Sequence, residues 1–210
     1  SVSSTSIKPD GVTYTDIVGG VDAATGKETG LELVRQIYPK LGMTPGILLA
    51  PGWSENAVVC AALQAKTEAI NGCFDCCAYV DISSGSSGAT VYTEVKGAKE
   101  TMGASGAHTA AFWPKAAIGD KVYCMSAVAA ALTAYNDAGN ADVPYESPSN
   151  KDLRITGTVL EDGTEVLLDQ QQASDVLNAN GVITAINANG FKLWGNNTAA
   201  YPSTTDPKDR

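Results

Sequence analysis

The chain has 210 residues, a formal net charge of −9, 44% apolar residues and only 18% charged ones. That length supports one sizeable core without disulfide help, and the composition is globular rather than disordered. The acidic balance excludes a broad basic face for nucleic acid or an anionic membrane, and no apolar run approaches the roughly 20 residues that span a bilayer.

Residues 1–15 are rich in Ser and Thr, with a turn at Lys8-Pro9-Asp10-Gly11, and are expected to form a tail or linker. Leu31, Val34, Ile37, Tyr38 and Leu41 recur at helical spacing, which predicts a helix over 29–41 ended by Gly42. Just upstream, Gly26-Lys27-Glu28-Thr29 lacks the leading glycine and the Lys-Ser/Thr pair of a phosphate loop, and Glu28 would repel phosphate. Ile47-Leu48-Leu49-Ala50, closed by Pro51-Gly52, reads as a strand buried on both faces. Ser54 or Asn56 can cap the next helix, expected to run to Gly72, and a second apolar strand follows over 76–82. Strand, helix, strand in that order is a βαβ unit and predicts a parallel sheet.

The pattern repeats with a helix over 90–102 and a third buried strand over 109–114, then a turn over 118–121. Residues 126–135, SAVAAALTAY, form a small-residue helix that must lie close against its neighbour, because Ala offers little area of its own. A polar loop with Pro144 and Pro148 covers 136–150; hairpin signals flank Asp162-Gly163, and a short helix spans 170–177. The stretch 178–197, NANGVITAINANGFKLWGNN, sets two short apolar runs around an Asn-Gly turn. It predicts a hairpin whose return strand carries Phe191, Leu193 and Trp194 to a buried surface. The fold class is therefore α/β in three layers, a largely parallel sheet flanked by helices, with C-terminal β-hairpins.

Candidate chemistry is sparse. Five cysteines stand at positions 60, 73, 76, 77 and 124, an odd number that suits a reducing compartment better than a disulfide framework. Cys73-Phe74-Asp75-Cys76 has CxxC spacing, but only Cys124 and the single histidine, His108, remain to complete a metal site; structural thiols are expected and no metal or other cofactor is implied. A serine hydrolase would take Asp81 at a strand end, His108 as base and Ser54, Ser105 or Ser126 as nucleophile, yet no serine stands in a G-x-S-x-G elbow. The acid pairs Glu161/Asp162 and Asp206/Asp209 fall in turns or at the tail, and no dense Asp/Asn run offers a calcium loop.

Several segments, taken together and in order, resemble the contractile phage tail sheath proteins of myoviruses and related injection systems. They are Val18-Gly19-Gly20-Val21-Asp22 with Thr25-Gly26-Lys27, then ILLAPG over 47–52, AYVD over 78–81 and Phe112-Trp113-Pro114. Further on come the SAVAAA run at 126–131 with Tyr135-Asn136-Asp137, Ser147-Pro148-Ser149-Asn150 and the whole of 178–197. The resemblance implies a core domain of subtilisin-like topology without the protease triad, spanning residues 16–200. On that reading 1–15 are a linker, and 201–210 lead to a C-terminal domain that the fragment lacks. It also implies a structural subunit of the virion tail and no enzyme: one assembled in the host cytoplasm, stacked in rings with other sheath subunits around a tail tube protein, and contracting to drive the tube through an envelope. The fragment alone is expected to be a monomer or weak oligomer. Pro148, Asn150, Gly181, Gly190, Phe191, Trp194 and Gly195 are read as its structural motif, with no catalytic, cofactor or metal residues.

Overall fold

The protein is described over residues 11–203 by a computed structural model. Most of the Lys8–Gly11 turn, the acid pair Asp206/Asp209 and most of 201–210 therefore lie outside the described residues. The chain opens with α1 (Tyr14–Val18), whose Asp16 carboxylate accepts from the Thr13 amide at 2.8 Å and from the Thr13 hydroxyl at 2.7 Å. This helix begins inside the stretch expected to be a linker, because five residues are too few to show a period. β1 (Gly20–Val21) and β2 (Glu28–Thr29) pair as a small hairpin. The helix expected over 29–41 starts one residue later and is mixed: Gly30–Gln36 is 3-10 and α2 (Ile37–Leu41) is α-helical, stopped by Gly42 at φ 67°.

Downstream the order is β3 (Ile47–Leu49), α3 (Ala57–Ala65), β4 (Cys77–Asp81), α4 (Val95–Met102), β5 (Thr109–Phe112), β6 (Lys115–Ile118) and β7 (Lys121–Tyr123). α5 (Met125–Gly139), β8 (Gly157–Val159), β9 (Val182–Asn187) and β10 (Phe191–Trp194) complete it. The main sheet runs β10-β9-β5-β4-β3, with the last four strands parallel and β10 antiparallel to β9. Its two faces are separated by the two-residue repeat of the strands. Ala78 and Val80 of β4, Ala111 of β5 and Val182 of β9 enter one cluster with Val59 and Leu63 of α3 and Val95 and Met102 of α4. Tyr79, Phe112, Ile183 and Ala185 enter the other, with Met125 and Ala129 of α5. Helices thus cover both faces of a mostly parallel sheet.

Three expectations need correction. β3 is an edge strand: Leu48 alone is buried, and Leu49 is 36% exposed on the far side. α3, capped by Asn56 as expected, stops at Ala65 instead of reaching Gly72. There the Asp75 carboxylate accepts from the Ala69 amide at 2.9 Å and an Ile70–Phe74 bridge closes a turn, so side-chain hydrogen bonds win over helix continuation. The 118–121 turn joins two strands that were not foreseen, β6 and β7, and β8 pairs with β6. The hairpin expected around Asp162-Gly163 is present but short: Val159 bridges Glu165, and the Leu160 and Val166 amides donate to the Thr164 and Thr158 carbonyls, each at 2.8 Å. The short helix at 170–177 is present but wide, π-helical over Gln172–Leu177.

Candidate functional site

The carboxyl ends of parallel strands are where α/β proteins build sites, and here that end carries a buried polar cluster. Asp81, the last residue of β4, is 2% exposed. Its carboxylate accepts from the Ser126 amide at 2.9 Å and the Ser126 hydroxyl at 2.5 Å, while its own amide donates to the Ser54 hydroxyl at 3.0 Å. Beside it Lys115 and Glu55 pair at 2.5 Å. Burial raises the Asp81 carboxyl above its ordinary value, against the lowering pull of the Ser126 hydrogen bonds and the Lys115 charge. Burial alone would push the Lys115 ammonium down, but Glu55, with Cys124 and Asp81 behind it, outweighs that and holds it high. The cluster therefore staples the end of β4 to the first turn of α5 and to the loop after β3.

The structure brings Asp81 to Ser54 and Ser126, and it keeps His108 away from all three. Phe112 is the register partner of Asp81, whereas His108 precedes β5 and its carbonyl accepts from Ala78 at the opposite end of the sheet. Four residues of strand separate the two levels by about 13 Å. His108 instead lies 3.8 Å from Glu68 at the surface, and Ser105, near His108, is exposed and remote from Asp81. His108 reaches neither buried serine, so the Ser-His-Asp constellation does not form. A cleft of about 620 Å³ opens nearby between Trp53, Asn56, Ser83 and Ser87, but its charged walls, Glu55 and Glu94, are both acidic.

The five thiols are all free. Burial pushes Cys60, Cys76 and Cys124 up to about 11 and also raises Cys77, so these sulfurs stay protonated and poorly nucleophilic at neutral pH. Among the described residues no three of His, Cys, Asp and Glu converge as a metal set. Gly26-Lys27-Glu28-Thr29 spans the end of the β1–β2 hairpin, where the Asp22 carboxylate accepts from Ala24 and Thr25 and Glu28 pairs with Arg35 at 3.4 Å. Asp162 accepts from the Thr164 amide in an exposed turn.

The motif residues cluster at the other end of the chain. β9 and β10 pair from Phe191–Asn187 to Trp194–Thr184, around a turn that places Asn189 at φ 60° and Gly190 at φ 109°. Asn150, about forty residues earlier, lies along the outer edge of β10, and Pro148 stands just before it, its carbonyl accepting from the Lys151 amide at 3.3 Å. The Asn150 amide donates to the Leu193 carbonyl at 2.6 Å, the Leu193 amide to Lys151 at 3.0 Å, and the Leu153 amide to Phe191 at 2.7 Å. Lys192 adds an ion pair to Asp152 at 2.5 Å. Segment 150–153 thus closes a sheet edge that would otherwise be open. Leu193 is buried, Phe191 and Trp194 are half-buried, and the Trp194 indole donates to the Ser174 hydroxyl at 3.0 Å. Gly181 enters β9 at φ 67°, where a Cβ would stand 2.5 Å from the Thr198 carbonyl and 2.7 Å from that of Tyr201.

No family model matches the chain. It is 31% identical, over 89% of its length, to a prophage protein of Pseudomonas aeruginosa (strain UCBPP-PA14) assigned as a major tail sheath protein, of which it covers 46%. It is 28% identical, over 94% of its length, to the tail sheath protein of Burkholderia phage BcepMu, of which it covers 42%. The chain is thus similar in sequence to tail sheath proteins along about nine-tenths of its length. It spans less than half the length of these sheath relatives. Its fold is also similar to that of a solved chain in the contracted sheath complex of an extracellular contractile injection system, with a TM-score of 0.54 and 17% identity over 81% of this chain and 44% of that one.

One feature of the chain escaped sequence reasoning. Lys99 is 7% exposed and, among the described residues, carries no carboxylate partner in hydrogen-bond range; its ammonium donates to the carbonyls of Asn180 at 2.6 Å and Tyr201 at 3.3 Å. A lysine in a helix normally reads as surface, and only its spacing from Val95 and Met102, at i−4 and i+3, hinted that it faces inward. Trp113, in the stretch expected as a buried strand, is fully buried in the α3/α4 cluster, with its indole donating to the Ala89 carbonyl at 3.0 Å, whereas both aromatics of the hairpin are half-buried.

Proposed function

We propose that this chain is the core part of a structural subunit of a contractile tail sheath, which assembles in rings around a tail tube and shortens to drive the tube through a target envelope. The observation that carries the reading is sequence similarity to tail sheath proteins along about nine-tenths of the chain. The site geometry supports it from the other side, since Asp81, Ser54 and Ser126 serve as a staple with the histidine out of reach. Such a subunit needs a rigid body rather than a reacting centre, and the polar cluster, the closed β10 edge and the two-faced core supply rigidity. The finer topology we infer is subtilisin-like, with its catalytic constellation missing. Residues 16–200 form the core domain, 1–15 a linker, and 201–210 the way to a further domain. The partners are other sheath subunits and the tube protein, and the place of action is the virion tail.

Immunogold labelling tests the reading. Antibody against this chain should decorate the tail shaft of particles released by cells that encode it, along the full shaft length. Gold confined to heads, to the distal tip or to no particle at all would overturn it.

A further inference from the structure

Asparagine before glycine is a chemical weak point of any polypeptide, because glycine has no side chain to keep its amide nitrogen away from the asparagine carboxamide. This chain has three such pairs, Asn71-Gly72, Asn180-Gly181 and Asn189-Gly190. Two of them close the same tetrapeptide, Asn-Ala-Asn-Gly, which stands at 178–181 before β9 and again at 187–190 at its end. Local sequence is therefore held constant, and only the surroundings differ.

Before β9 the pair is locked. The Asn180 carboxamide donates to the Val176 carbonyl at 2.7 Å, and the Gly181 amide to the Asn178 carbonyl at 3.0 Å. Gly181 is buried, and the Asn180 carbonyl between the two accepts from Lys99 at 2.6 Å, so the turn cannot rearrange without breaking its hold on α4. Asn71 is exposed but tied as well. Its carboxamide donates to the Arg35 carbonyl at 2.9 Å, and the Gly72 amide to the Ala69 carbonyl at 2.8 Å.

After β9 neither reacting group is tied to backbone. Residues 187–190 are all exposed, and the Asn189 carboxamide has no hydrogen-bond partner among the described residues. The Gly190 amide donates to the Asn187 carboxamide oxygen at 3.2 Å, an acceptor on an exposed side chain that can turn away. Asn189 stands at φ 60° and Gly190 at φ 109°, with open space where a Cβ on Gly190 would be. Ring closure requires the carboxamide carbon to swing over the next amide nitrogen, and this turn alone of the three leaves both groups loose enough to do so.

We propose that Asn189 is a site of spontaneous deamidation in the folded protein, and that the fold protects Asn71 and the sequence twin Asn180. Solvent base takes the Gly190 amide proton, the nitrogen attacks Cγ of Asn189, and the Cγ–Nδ2 bond breaks with release of ammonia. Water then opens the cyclic imide at one or other carbonyl, leaving aspartate, or isoaspartate with the main chain rerouted through Cγ. Either product adds a negative charge to the β9–β10 turn. The second also lengthens the main chain by one carbon, next to the Phe191–Asn187 register pair that begins the hairpin.

Ageing of the 210-residue chain in mildly alkaline buffer at body temperature, followed by peptide mapping with electron-transfer fragmentation, tests this. Position 189 should gain about 1 Da, with fragments diagnostic of isoaspartate, at about tenfold or more the rate of positions 71 and 180. In urea strong enough to unfold the chain, the three rates should come within about threefold of one another, because the tethers are gone. Asn189→Gln should remove the early mass gain and leave the two slow sites as they were. Equal rates at 189 and 180 in the folded chain, or faster loss at 71 than at 189, would overturn the proposal. So would a tenfold difference that survives in urea, since it would belong to sequence rather than to the fold.

Discussion

Asp81 shows how a residue with the look of a catalyst becomes a structural part. Burial raises its folded carboxyl above the unfolded reference of 3.8, so as pH climbs past that value the unfolded chain loses its proton first. The folded state then binds more protons than the unfolded one, and stability contributed by this group falls as pH rises through the raised value. Asp81→Asn keeps an acceptor for the Ser126 amide, removes the buried charge and should flatten that part of the stability curve from about pH 4 upward. Asp81→Ala strands the Ser126 amide and hydroxyl and should cost about 1–3 kcal/mol at neutral pH. Chemical denaturation of the three proteins across pH decides between these outcomes; an Asp81→Asn curve parallel to the parent's would refute the burial account. Because His108 sits at the far end of the sheet, a fluorophosphonate serine probe should leave the protein unlabelled by mass spectrometry. Stoichiometric labelling lost in His108→Ala would show that the serines and the histidine do meet. The residue types of that constellation were legible in the sequence, but their separation was not. Only the pairing of Asp81 with Phe112 reveals that His108 stands just before the neighbouring strand while Asp81 ends its own.

At the scale of elements, the last hairpin is anchored by groups distant in sequence. Lys99 on α4 holds the carbonyls of Asn180, just before β9, and of Tyr201, just after the loop that follows β10. Burial lowers its ammonium to about 8, from the unfolded 10.5. Between those values the unfolded chain binds the proton and the folded one does not, so this group's contribution to stability rises with pH across that window. Lys99→Met should abolish that rise relative to the parent and leave the two carbonyls without their donor. Hydrogen exchange at the Ala199 amide, which donates to the Thr109 carbonyl at 2.7 Å, should then speed up before any strand of the main sheet opens. The glycines of the hairpin should rank by surroundings. Gly190→Ala meets open space at the turn and should cost about 1 kcal/mol, as φ alone requires, whereas Gly181→Ala would drive a Cβ into two carbonyls and should cost several-fold more in urea unfolding. Equal costs would mean the tight approach at Gly181 is not real. The hairpin itself was legible because Asn-Gly turns and two-residue alternation are local signals. The strands β6 and β7 were not, since Lys115-Ala116-Ala117-Ile118 has little β-branched character and is held by pairing to β8, about forty residues on.

On the scale of the whole molecule, the chain is an acidic α/β body whose exposed apolar side chains are scattered over its described surface, from Val21, Leu41 and Met43 to Tyr135, Tyr145 and Leu167. At low micromolar concentration it should run as a monomer in size exclusion with light scattering, because scattered apolar side chains cannot offset the entropy of association there. A stable ring or tube from these 210 residues alone at that concentration would contradict this. The sequence by itself determined the order of the main-sheet strands and of the helices between them, the positions of most turns, the mostly parallel sheet and the likeness to tail sheath proteins. Those follow from hydrophobic period, from capping and turn residues, and from motifs that keep their order, all of which are read along the chain. Tertiary structure alone decided that β3 lies at an edge, that 150–153 close the edge of β10, that Lys99 is buried, and that Asp81 meets two serines but no histidine. Each of those is a contact between residues tens of positions apart, and the free energy of such contacts belongs to packing, which no local pattern encodes.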